Sequence, residues 1–232
     1  MLLGFVSDAH GNSEGLSKCL NFLKKKGVDE IYFLGDAVGY IPDWAGVFSL
    51  LDEYEVQSLQ GNHDYMAISG MIDSNKNLVY NITQNLIDIN QKHLSSIENL
   101  PSFLNLNFES KKLLLVHGSP WQPLDGYFYF DTKIDNLKPV EANTVFMGHT
   151  HRPFIRWVND KCFVNVGSCG LPRDVGNLAS CAIYDVDKDE ASVYRIPFDV
   201  NKLIKTHKNF LHKSVIECMR RKADNYFGIL VD

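Results

Sequence analysis

Cysteine is scarce and scattered: Cys19, Cys162, Cys169, Cys181 and Cys218 form no C-x-x-C pair. That excludes the zinc ribbons and dithiol motifs that need two neighbouring thiols, and the odd, spread-out set reads as reduced core thiols of a cytoplasmic protein. No apolar run approaches the ~20 residues of a membrane span. Residues 1–6 lack a basic flank and run into Ser7-Asp8, which argues against a secretory leader. Positive charge is not in surplus either, because 23 Lys and Arg against 28 Asp and Glu leave a net charge of −5. Non-specific binding to nucleic acid is therefore not expected. Phosphate affinity would have to be made locally, and bound divalent cations are one way to make it. Repeats, low-complexity tracts and linkers are missing too, so residues 1–232 read as a single domain with room for a real core.

What is present is strand–helix alternation. Residues 2–7 are apolar and end at Asp8-Ala9-His10-Gly11-Asn12, a buried strand feeding a polar loop. Asn12 or Ser13 caps a helix through about Lys26, with Leu16, Leu20 and Leu23 on one face and Gly27 as its stop. Ile31 to Leu34 forms a second strand ending at Gly35-Asp36. Pro42 opens a helix through about Leu51, and Val56 to Leu59 forms a third strand ahead of Gly61-Asn62-His63-Asp64. Apolar returns at Leu78, Ile82, Leu86 and Ile89 predict one helix over 76–97. Phe103–Phe108 and Leu113–Val116 read as a hairpin turning through Glu109-Ser110-Lys111-Lys112. Val145–Met147 ends at Gly148-His149, later hairpins turn near Asn159-Asp160 and Asp187-Lys188, and a last amphipathic helix covers about 200–222. The class is α/β, richer in hairpins towards the end.

Asp8-x-His10, Asp36, Asn62-His63-Asp64, His117 and His149-x-His151 all follow predicted strands, where α/β sheets collect ligands. On extended backbone the i, i+2 pairs Asp8/His10 and His149/His151 would each point one way. Gly35, Gly61, Gly118 and Gly148 beside them allow close backbone approach. Singly, each has a plainer reading: Asp8 and Asp36 as turn or cap carboxylates, Gly61-Asn62 as a left-handed turn, His117 as a structural histidine. Jointly the plain readings need five separate coincidences at strand ends, and one shared site is the simpler account.

In this order, over residues 8–151, the series resembles the calcineurin-like metallophosphoesterase superfamily. Gly167-Ser168-x-Gly170-x-Pro172-Arg173 is similar to a segment of its small bacterial and archaeal phosphodiesterase branch. The resemblance implies a four-layer α/β/β/α sandwich of two mixed sheets flanked by helices. It implies one divalent ion on Asp8, His10 and His151, a second on Asn62, His117 and His149, and Asp36 bridging both. Oxygen and imidazole ligands without thiolate suit Mn²⁺, taken first, with Fe, Zn²⁺ or Ni²⁺ as alternatives. Two such ions about 3.5–4 Å apart would clamp a phosphate and provide a bridging hydroxide for in-line attack. His63, outside the ligand sets, would protonate the leaving alkoxide or stabilise phosphoryl charge, with Asp64 fixing its tautomer and raising its pKa. Asn62 would also touch substrate, and Arg173 would offer a fork to a non-transferred phosphate oxygen.

The expected activity is hydrolysis of phosphomonoesters or phosphodiesters, on a small nucleotide-type substrate, with no membrane partner and a homo-oligomer left open. A non-catalytic metal-binding scaffold of the same fold competes, although every ligand position and His63 are filled. A protein Ser/Thr phosphatase would carry an arginine soon after the bridging aspartate and a glutamate after the histidine. This chain has Gly35-Asp36-Ala37-Val38-Gly39-Tyr40 and Asn62-His63-Asp64 instead. Trp121, Tyr127, Phe128, Tyr129 and Phe130 read either as core or interface, or as a pocket wall that stacks on a base.

Overall fold

Alternation along each strand sorts the apolar residues onto separate surfaces. In the computed structural model, which describes residues 1–231 except 87, 88, 90, 110 and 134–138, the first strand β1 (Leu2–Val6) turns Leu3 and Phe5 one way and Val6 the other. The chain continues through α1 (Ser13–Lys26), β2 (Glu30–Phe33), α2 (Trp44–Glu53), β3 (Gln57–Ser58) and α3 (Asn62–Ser69). Three short helices follow, α4 (Ser74–Tyr80), α5 (Ile82–Leu86) and α6 (Gln91–Glu98). Then come β4 (Phe103–Phe108), β5 (Lys111–Val116), β6 (Thr144–Met147), β7 (Phe154–Val158), β8 (Lys161–Asn165), β9 (Leu178–Asp185) and β10 (Glu190–Pro197). The last elements are α7 (Val200–His207), α8 (Lys213–Met219) and β11 (Ile229–Leu230).

Two mixed sheets result, ordered β11-β10-β9-β1-β2-β3 and β4-β5-β6-β8-β7. In the first, β1 runs parallel to β2 and antiparallel to β9; in the second, β5, β6 and β8 are parallel and β4 and β7 antiparallel at the edges. Their inner faces meet through Leu3, Phe5, Leu113, Leu115, Phe146 and Val164. The Phe5 and Phe146 rings stack at 4.0 Å across the seam, each such burial being worth ~1.5–3 kcal/mol. Helices cover the first sheet's outer face through Leu16, Leu20, Leu23, Leu203 and Val215. On the second sheet's outer face Val116, Val145, Met147 and Phe163 meet Phe128 and Phe154. This is the two-sheet, helix-flanked sandwich that was expected. Four cysteines are buried as free thiols and Cys218 is half-buried. Among the described residues no helix is long and apolar enough to cross a membrane.

Helix ends follow local hydrogen bonding. Asn12 caps α1 through Gly15 N–H, and Gly27 closes it at φ 72°. The helix predicted from Pro42 starts two residues later, because the Asp43 carboxylate accepts from Gly46 N–H and so sets the cap. The single helix predicted over 76–97 is broken: Asn81 takes φ 56° and ends α4, and α5 and α6 follow separately. Its positions 87, 88 and 90 lie outside the described residues, as does Ser110 of the predicted hairpin turn. The last helix is also two, since the His212 side chain accepts from Ser214 N–H and caps α8 afresh.

Candidate metal centre

Five strand ends deliver the predicted residues. Asp8 and His10 follow β1, Asp36 follows β2, and Asn62, His63 and Asp64 form the first turn of α3 beyond β3. His117 follows β5, and His149 and His151 follow β6, so the site sits across the seam between the sheets. All nine residues are buried.

The i, i+2 pairs converge for a different reason from the one expected. Asp8, His10, Asp36, His149 and His151 have φ of 56°, 49°, 64°, 64° and 57°, so left-handed turns, not an extended pleat, aim their side chains. Such a conformation costs a non-glycine residue of order 1–3 kcal/mol, and the neighbouring loops must hold it. Those loops press close. A Cβ on Gly61 would collide with the carboxylate and amide of Asp36, which is why only glycine fits there.

Hydrogen bonds then fix the imidazole tautomers. Nδ1 of His10, His117 and His151 lies 3.0, 2.8 and 2.6 Å from the carbonyl oxygens of Val38, Leu34 and Leu171. A carbonyl only accepts, so each Nδ1 carries a proton and a neutral ring turns a bare Nε2 inward. His10 Nε2 and His151 Nε2 face each other at 3.0 Å. His117 Nε2 is 3.1 Å from Asn62 Oδ1 and 3.3 Å from Asp36 Oδ2, while His151 Nε2 is 3.3 Å from Asp8 Oδ1. Each carboxylate commits its other oxygen to a backbone N–H: Asp8 Oδ2 to His149 at 3.0 Å and Asp36 Oδ1 to His63 at 2.8 Å. Asp8 Oδ1 and His149 Nε2 are buried without a hydrogen-bond partner among the described residues. Acceptors meeting acceptors in a buried site fit a cation. Donor atoms of Asp8, His10 and His151 lie within 4.8 Å of one another, as do those of Asp36, His117 and His149, and those of His10, Asp36 and His63.

Burial opposes charge on Asp36, but His117, His63 and His10 hold its carboxyl well below the usual range. Burial also opposes charge on His117, yet Asp36, by charge and hydrogen bond, pushes it up to about 9. A cation needs the neutral ring, so metal binding at pH 7.5 is expected to release about one proton from His117. Calorimetry in buffers of different ionisation enthalpy would measure it; binding enthalpy independent of buffer would contradict this picture.

Asp64 does not hold His63. Its carboxylate accepts from the backbone N–H groups of Asp36, Ala37, Val38 and Gly61 at 2.7, 3.0, 3.3 and 2.9 Å, because its place in the first turn of α3 aims it at that loop. His63 Nδ1 has no hydrogen-bond partner among the described residues, and burial brings its pKa down to about 4 instead of up. Aromatic rings surround it: Tyr40, Tyr80 and His10 lie at 5.0, 4.4 and 4.7 Å. Tyr40 and Tyr80 were not among the residues expected at the site, and the position of Tyr40 four residues beyond Asp36 is the signal the sequence carries for it. Arg173 is half-buried and donates from Nη2 to Tyr40 Oη at 3.4 Å, while its N–H donates to the His151 carbonyl at 3.2 Å. The same segment supports the candidate ligands, with Ser168 Oγ donating to the Asp8 carbonyl at 2.7 Å. In the aromatic loop Phe128 is core, whereas Tyr127 lies exposed against His149, ring centroids 4.2 Å apart.

Residues 1–189 match the family model of the calcineurin-like phosphoesterase superfamily domain. The chain is 28% identical over 218 residues to an uncharacterized protein of Methanocaldococcus jannaschii, covering 87% of this chain and 89% of that one. A metallophosphoesterase structure from Sphaerobacter thermophilus superposes with a TM-score of 0.77 at 25% identity, covering 94% of this chain and 98% of that one. A hypothetical protein from Pyrococcus horikoshii has the same fold, with a TM-score of 0.80 at 20% identity over 96% of this chain and 99% of its own.

Proposed function

The chain belongs to the calcineurin-like phosphoesterase superfamily, and on that footing we propose that it hydrolyses phosphomonoesters or phosphodiesters of a small phosphorylated substrate with two divalent cations. One would be held by Asp8, His10 and His151, the other by Asn62, His117 and His149, with Asp36 between them. The observation that supports this most directly is the meeting of bare acceptors: His10 Nε2 against His151 Nε2 at 3.0 Å, each ring having committed its Nδ1 proton to a backbone carbonyl. Mn²⁺ heads the metals that such oxygen and imidazole donors suit, and reduced thiols fit a cytoplasmic setting. When bound, the cations would supply Lewis-acid stabilisation of phosphoryl charge and a lowered pKa for attacking water.

The protein's own groups would do the rest. The backbone carbonyls of Val38, Leu34 and Leu171 keep three imidazoles in the ligating tautomer. His63, neutral at rest, would offer a ring N–H to the phosphoryl or leaving oxygen. Arg173 would hold a non-transferred oxygen with its guanidinium fork.

The test is hydrolysis of p-nitrophenyl phosphate and bis-p-nitrophenyl phosphate after reconstitution with Mn²⁺. A metal-loaded protein inactive on both, and on a panel of nucleotides and phosphopeptides, would leave a scaffold. His63→Ala is expected to keep both ions by elemental analysis while turnover falls by about 10²–10⁴-fold. Metal lost together with activity would make His63 a ligand, for which its closeness to His10 and Asp36 leaves geometric room.

A further inference from the structure

The loop beyond His117 carries four consecutive aromatic residues from Tyr127 to Phe130, and they do not share one job. Phe128 is fully buried against Phe163 and Phe154, ring centroids 5.1 and 6.0 Å away, and the Arg156 guanidinium lies 5.7 Å from its ring. Tyr127 and Tyr129 turn outward and stay 55% and 38% exposed. Their ring planes are within 12° of parallel, with centroids 5.8 Å apart. The loop is tied down around them. Tyr129 N–H donates to Thr132 Oγ1 at 2.8 Å, Thr132 N–H to the Tyr129 carbonyl at 3.1 Å, and Arg156 Nη1 to the Thr132 carbonyl at 2.7 Å. Single exposed apolar side chains need no explanation. A parallel tyrosine pair, one ring against a candidate metal ligand, does.

We infer that Tyr127 and Tyr129 form a stacking platform for the planar base of a nucleotide whose phosphate lies at the metal centre; the placement of the phosphate rests on the phosphoesterase reading. Two stacking distances need about 7 Å, so no base fits between the rings and it stacks on the outer face. The Arg173 guanidinium donates to Tyr40 Oη at 3.4 Å, and the Tyr40 ring lies 5.0 Å from His63, so a cation is at hand for a phosphate oxygen at the candidate metal centre. The net charge of −5 favours a single nucleotide or short dinucleotide over a polymer, which would need a basic track.

Adenosine carrying a 5′-methylenephosphonate has no ester to cleave, and ethylphosphonate is its counterpart without the nucleoside. Calorimetry on the Mn²⁺-loaded protein is expected to show the adenosine compound binding about 10-fold or more tightly. Tyr127→Ala and Tyr129→Ala should bring that ratio close to one, and Tyr127→Phe, which keeps the ring, should preserve it. A ratio near one in the wild type, a ratio unmoved by the alanine variants, or an equal loss in Tyr127→Phe each overturns the platform. So does a dimer in sedimentation that Tyr127→Ala abolishes while the ratio stands, because the rings would then join two copies. Hydrolysis of p-nitrophenyl phosphate, bis-p-nitrophenyl phosphate and the nucleotide and phosphopeptide panel is scored on the same samples. Inactivity on all of them with the ratio intact removes the phosphoesterase reading and keeps the platform; activity without the ratio does the reverse.

Discussion

Asp64→Asn is expected to destabilise the metal-free protein by on the order of 4 kcal/mol, read as a lower urea midpoint at unchanged slope. The fully buried carboxylate accepts four backbone N–H groups with two oxygens. An amide keeps one oxygen and turns a second donor towards two N–H groups that have nowhere else to go. Each orphaned buried donor costs roughly 1–3 kcal/mol. Because these bonds shape residues 36–38, the loop that presents Asp36 should loosen and metal affinity fall with it. Were Asp64 instead the orienter of His63, the asparagine variant would keep its stability and shift only the pH profile of turnover. Unfolding and pH–rate curves on the same variant therefore separate the two roles.

Asp36→Asn should behave in the opposite way, leaving the fold near wild type while both ions are lost and kcat/KM falls by about 10³-fold or more. The amide is isosteric and its oxygen can still accept from His63 N–H, the bond Asp36 Oδ1 makes at 2.8 Å. What disappears is the negative charge that faces His117 and His10 at 3.3 and 3.6 Å. Without it the pKa of His117 should fall from about 9, which NMR titration of the metal-free protein would follow. Two retained ions per chain would show that Asp36 is not shared between the sites.

The strand–helix alternation and the roster of buried polar groups were legible in the sequence because both are written locally, whereas the two-sheet sandwich was implied only by the family resemblance. Apolar runs such as Leu113–Val116 end at the polar residue they deliver, and Gly27 or Asn12 marks a helix end through its own backbone preference. The direction of each side chain was not legible. Asp8 and His10 look like a strand pair by spacing, yet loop contacts from Gly35 and Asp36 hold them at positive φ. Asp64 sits next to His63 in the chain and so looks like its partner, but the helical rotation of about 100° between neighbours carries its carboxylate to the Asp36 loop. The break at Asn81 lay hidden because the apolar period runs through it unchanged. Tyr127 and Phe128 are neighbours of similar composition, and only the second sheet's outer face decides which of them is core.

The site's position on the seam also bears on how long the protein lasts. Each candidate ligand set draws on both sheets: Asp8 and His10 with His151, Asp36 and Asn62 with His117 and His149. A cation bound only to the folded chain stabilises it by about 4 kcal/mol at a thousandfold excess over its dissociation constant. With cations in place, the sheets would be tied at one end by charge as well as along their inner faces, where Phe5 and Phe146 stack. Scarcity of metal would then reach proteases before it reached substrate, and the abundance of the protein would follow the metal supply.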